Sequence, residues 1–98
     1  MYLPRLVAGR DFAAQMVAAA LGDVTGDDIT VDCSELLSGS ASFAAGLVEA
    51  ILIGGAAAKL TLSNAPDTFA RYVTEAARDL SVTAKFDLRS SDPQLAAG

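Results

Sequence analysis

The residues best equipped for chemistry cluster between positions 32 and 49. Asp32, Cys33 and Ser34 close a short β-branched run, serines follow at 38, 40 and 42, and Phe43 then opens an almost uncharged stretch to Ile53. A serine at the mouth of a helix has two uses. Its hydroxyl accepts an N–H of the first turn, worth about 1 kcal/mol. A phosphate on the same oxygen meets unpaired N–H donors and the positive end of the helix dipole, and adds up to about two negative charges to the surface. Ser42 is placed for either, and the residues alone leave N-cap and phospho-acceptor both open. Ser38-Gly39-Ser40 could likewise cradle an anion at a helix start. However, the chain has no G-x-G-x-x-G, no lysine-bearing P-loop, and no Lys or Arg between Arg10 and Lys59, so a tight turn is the expectation.

Other chemistry is thin. The chain has no histidine, the commonest general base and metal ligand. Cys33 has acids for neighbours, which suits a small core residue and not a nucleophile. One cysteine with scattered carboxylates does not compose a four-ligand zinc site. Asp27 and Asp28 lack the surrounding oxygen ligands of a calcium loop. With no matched acid and base, the expectation is a protein that is not an enzyme and uses no cofactor and no metal.

The elements that must position the serines follow from periodicity. Tyr2-Leu3 and Leu6-Val7 form a first strand weakened by Pro4. Residues 10–21 space Phe12, Met16 and Ala19/Ala20 as a helix stopped by Gly22. Ile29 to Cys33 is a second strand, and 42–53 a second helix stopped by Gly54-Gly55. Lys59 to Ser63 alternates as a third strand, and Pro66 opens a helix over 66–80 with Phe69, Tyr72/Val73, Ala76 and Leu80 inward. Val82, Ala84, Phe86 and Leu88 alternate as a closing strand. Strands separated by helices of this length predict an α/β fold: one four-stranded, mainly parallel or mixed sheet with three helices chiefly on one face. The expected core is Phe12, Met16, Val31, Leu47, Ile51, Leu60, Leu62, Phe69, Val73, Leu80 and Phe86. One domain over 1–88 is expected, with a flexible tail at 89–98.

Composition narrows the setting. Apolar residues at 52% and charged residues at 19% describe a packed globule, not a disordered chain. Twenty alanines and more Arg than Lys suit a high-GC bacterial source. A net charge of −5 argues against nucleic acid and against an anionic membrane surface, and favours a partner with a basic patch. A single cysteine suits a reducing cytoplasm. Arg5 and Arg10 interrupt any signal-peptide pattern. Ala41 to Ala58, with Glu49 its lone charge, is as long as a membrane span but too rich in Ala and Gly to read as one.

The order strand, acid, small-residue loop, serine, apolar helix resembles the signature of the STAS-like domains, relatives of the bacterial anti-sigma factor antagonists. Aligned on Asp32-Cys33-Ser34, the family's Asp-Ser-Ser-Gly-Leu segment falls on Ser40, Ala41, Ser42, Phe43 and Ala44. Ser42 then matches the phosphorylated serine, while Ser40 stands for the acid and Phe43 for the glycine. This Ser-Phe-Ala form is similar to an uncharacterised STAS-like branch, in which Arg10 at the first helix also fits. The resemblance implies a non-catalytic partner-switching module that docks a GHKL-type ATPase or anti-sigma factor through the loop and helix 38–53. The partner surface would comprise Ser38, Gly39, Ser40, Ser42, Phe43, Gly46, Leu47 and Glu49.

The second helix carries a further expectation. Phe43, Leu47, Val48, Ile51, Leu52 and Ile53 lie on too many faces for one sheet to hide. An exposed stripe there predicts a contact site, with Gly46 admitting a partner backbone; a helix packed wholly within the core is the alternative. The alternative function is therefore a structural or assembly protein that forms a homodimer through this helix and is never phosphorylated.

Overall fold

The computed structural model describes residues 1–89. In chain order these form β1 (Leu6–Val7), α1 (Arg10–Ala20), β2 (Asp28–Asp32), β3 (Ser38–Gly39) and α2 (Ala41–Val48), which runs into a π-helical turn (Glu49–Gly54). Then come β4 (Lys59–Ser63), α3 (Asp67–Asp79), a 3-10 turn (Thr83–Lys85) and β5 (Phe86–Arg89). The architecture is α/β, with three α-helices and two small parallel sheets ordered β2-β4-β5 and β1-β3.

The expected single four-stranded sheet is corrected to two smaller ones. Residues 1–3 do run beside β2: Leu3 N–H donates to Asp32 O at 3.0 Å, Asp32 N–H to Met1 O at 2.7 Å, and Tyr2 bridges Asp32 in parallel. β2 ends at Asp32, and the next amide that could extend the ladder, Ser34 N–H, is taken by the Asp32 carboxylate at 2.8 Å. The chain departs there, and Leu6 and Val7 pair instead with Ser38 and Gly39. The first strand is thus split between two sheets.

Register in the larger sheet places Ile29 beside Leu60 beside Phe86, and Val31 beside Leu62 beside Leu88. These share one face, and Val31, Leu60 and Leu62 are wholly buried. The alternate face carries Thr30, Thr61 and Asp87 in one row and Asp32, Ser63 and Arg89 in the next. A sheet apolar on one side and polar on the other is covered by helices on one side only, and α2 lies in the middle of that layer, packed against both α1 and α3.

This central position overturns the exposed stripe. Phe43, Leu47, Val48 and Ile51 have no exposed surface, Leu52 has 3%, and only Ile53, at 48%, reaches water. Gly46 explains how so small a domain surrounds a helix. A Cβ there would lie 2.7 Å from Arg10 O and 2.9 Å from Arg10 Cα, so the backbone that Gly46 admits belongs to α1 of the same chain. Of the side chains expected to form a homodimer contact, only Ile53 remains substantially exposed.

Further boundaries differ from periodicity. The helix expected at 42–53 begins at Ala41 and widens to π winding at Glu49. The closing strand expected over 82–88 begins only at Phe86: Ser81, at φ 60, ends α3, Val82 N–H returns to Ala77 O, and the 3-10 turn follows. Arg89, expected in the tail, ends β5, and 90–98 lie outside the described residues. In α1, Phe12 is 42% exposed where a core residue was expected, while Ala13 and Val17 face inward, since the close crossing at Gly46 has room only for small side chains. Met16, Leu80 and Phe86 flank the core, partly buried. Among the described residues no helix is long and apolar enough to cross a membrane.

Gly46→Ala should cost about 1–3 kcal/mol in urea unfolding, because the added carbon meets backbone that cannot rotate away. Gly54→Ala, whose Cβ would have only Glu49 O at 3.6 Å as a neighbour, should change stability by less than about 0.5 kcal/mol. Equal losses at the two positions would contradict the close crossing.

Candidate functional site

The serine loop is held from its start. Asp32 ends β2 and accepts Ser34 N–H at 2.8 Å. That amide first, then the Ser34 hydroxyl, keeps the Asp32 carboxyl below the usual carboxylate range. Cys33 N–H donates to Ser63 O (2.8 Å), and Leu37 and Ser38 N–H both reach Arg5 O at 2.8 and 3.1 Å. These bonds carry the chain out of the large sheet and into β3, beside β1.

The cap of α2 is corrected: Ser40, not Ser42, performs it. Ser40 is extended (φ −81, ψ 159), and its Oγ accepts Phe43 N–H at 3.0 Å. The same oxygen accepts Gly9 N–H at 3.2 Å, just before α1, while Ser40 N–H donates to Val7 O at 3.1 Å. One residue therefore fastens both helix entries to the β1-β3 pair. Ser42 falls inside the first turn, exposed, with its Oγ 3.2 Å from that of Ser40.

The remaining expected partner residues divide sharply. Ser38 is exposed and Gly39 half-buried. Gly39 backs onto Phe69, where an added Cβ would lie 2.6 Å from the ring. Phe43, Gly46 and Leu47 are buried and present nothing to a partner. Glu49 is half-exposed and pairs with Arg10 Nη1 at 2.8 Å.

What the fold assembles instead is an open groove of about 540 Å³, lined by Leu6, Val7 and Ala8 of the first strand, by Ser38 to Ala41, and by Tyr72 of α3. Leu6 is 70% exposed at its edge, and Leu37, just before β3, is 68% exposed. A smaller hollow of about 230 Å³ lies across β3 against Pro66 to Phe69. Nothing in the local pattern marks Leu6, Ala8 or Tyr72 as site residues, because they join the serines only through the β1-β3 pairing and the packing of α3. The groove mixes hydroxyls with apolar side chains.

Cys33 is 1% exposed, and burial first, then the Asp32 charge, pushes its thiol up to about 12. Among the described residues, no three His, Cys, Asp or Glu side chains gather as metal ligands would. No family model matches the chain, and no curated protein or solved structure matches it either.

Ser40→Ala should destabilise the fold by about 1–2 kcal/mol in chemical denaturation, while Ser42→Ala should stay within about 0.5 kcal/mol of wild type. A larger loss at Ser42 would return the cap to it. For Cys33, the unfolded thiol ionises near 9.0 while the folded one keeps its proton to about 12. Folding stability should therefore fall as pH rises through that window and be unaffected by this group below it. Ser substitution at position 33 should flatten that alkaline limb, and an unchanged limb would mean that the thiol is not its source.

Proposed function

We propose that the chain is a non-catalytic, STAS-like interaction module that docks a protein partner at the groove beside Ser38, Ser40 and Ser42, with Ser42 as its regulatory position. The observation that carries this reading is the division of labour between the two serines. Ser40 is committed to the fold, whereas Ser42 stands exposed in the first turn of a helix whose start needs nothing from it. A charge added there stands beside Ser40 and Ala41, which line the groove, and leaves the core alone. A helix N-terminus also tolerates that charge, through its unpaired N–H groups.

Charge and composition indicate the partner. A protein of net charge −5 attracts a basic surface, and exposed Leu6 and Leu37 offer apolar anchors beside the hydroxyls. A GHKL-type ATPase or anti-sigma factor is the partner class that the resemblance supplies. The docking surface is narrower than the expected region 38–53, since Phe43, Gly46 and Leu47 are buried: it comprises Ser38, the edge of Ser40, Ser42 and the groove wall.

The test is affinity capture from the native host with wild type, Ser42→Ala and Ser42→Asp as baits, with mass spectrometry of partners and of Ser42. A specific partner should bind wild type and Ser42→Ala alike and lose about tenfold or more in affinity, roughly 1.4 kcal/mol, with Ser42→Asp. Equal binding by both variants would remove the regulatory role from Ser42.

A further inference from the structure

The hydroxyl of Ser40 has more partners than an ordinary cap, and their number fixes the direction of one bond. A serine hydroxyl has a single proton and two acceptor directions. Both acceptor directions are taken, by Gly9 N–H at 3.2 Å and Phe43 N–H at 3.0 Å. The contact with Ser42 Oγ at 3.2 Å must therefore use the proton of Ser40, with Ser42 accepting. Ser42 thus reads the state of Ser40, and Ser40 in turn holds the entry to α1.

We infer that a negative charge at position 42 is relayed through the Ser40 hydroxyl to the start of α1 at Gly9, an inference that rests on the regulatory reading of Ser42. An anionic acceptor at 42 draws the Ser40 proton more strongly than a neutral hydroxyl does, as charge-assisted hydrogen bonds are the stronger kind. A proton pulled outward leaves more negative charge on Ser40 Oγ, which then holds both of its N–H donors more tightly, the cooperative strengthening of a hydrogen-bonded chain. Of the two donors, Gly9 is the diagnostic one. Phe43 lies in the first turn of α2 and would feel the charge through that helix's own dipole. Gly9 belongs to a different element, stands at φ 91 between β1 and α1, and reaches position 42 by hydrogen bonding only through Ser40. A charge at 42 is then felt on the groove wall formed by β1, as well as at the modified residue.

The test needs no partner, so its failure is separate from failure of the docking reading. Amide hydrogen exchange by NMR is compared in Ser42→Asp and its neutral isostere Ser42→Asn. Gly9 should exchange about threefold slower or more in the Asp variant, and the difference should vanish when Ser40→Ala is added to both. If Ser40→Ala fails to fold, the Asp and Asn variants decide alone. Equal Gly9 rates in the two, or a faster rate with Asp, would overturn the relay; a slowed Gly9 with unchanged partner binding would keep it and sink the docking role of Ser42.

Discussion

Ser40 is the constraint on which the rest of the structure hangs. Its N–H reaches Val7, its carbonyl accepts Ala44 N–H, and its hydroxyl accepts from Gly9 and Phe43. These bonds fix where β3 ends, where α2 begins, and how α1 leaves β1. Because α1 is tethered here, its first turn is brought down over Gly46, and the close crossing of α1 and α2 follows. Every later feature, from the burial of α2 to the groove beside Tyr72, is arranged around that joint.

The burial of α2 rests on small residues at particular points. Gly46 lets α1 approach, Gly39 lets the Phe69 ring lie on β3, and a Cβ at Gly55 would meet Val24 at 2.5 Å. Each of these contacts replaces a side chain with backbone at near-contact distance, which raises packing density without adding residues. A domain of this length would ordinarily leave a wholly apolar helix partly wet. Here close approach on two sides, with the sheet beneath, encloses it.

The edges of the larger sheet are not left open. At β5, Phe86 N–H returns to Thr83 O, and Leu88 N–H is taken by the carboxylate of its own neighbour Asp87 at 2.9 Å. Neither donor is offered to an incoming strand, one of the ways natural sheets discourage edge pairing. Residues 1–3 cover the opposite edge along the end of β2. Both edges of the larger sheet are thus partly closed to strand addition.

Local pattern in the sequence determined the three helices, the strands at β2 and β4, and the inward stripe of α3, because 3.6 and 2.0 periodicities are set by neighbours along the chain. The loop of serines at a helix mouth was equally legible, as was the small-residue character of α2. Which serine caps was not. Ser40 and Ser42 are both suited, and the choice depends on β3 pairing with a segment more than thirty residues earlier, a partner that no local window contains. The split of the first strand, the burial of Phe43 and Leu47, and the groove made by Leu6 and Tyr72 share that origin. Apolar pattern states that a face must be covered; only tertiary contact decides by what, and here Gly46 gives the covering to the chain's own first helix.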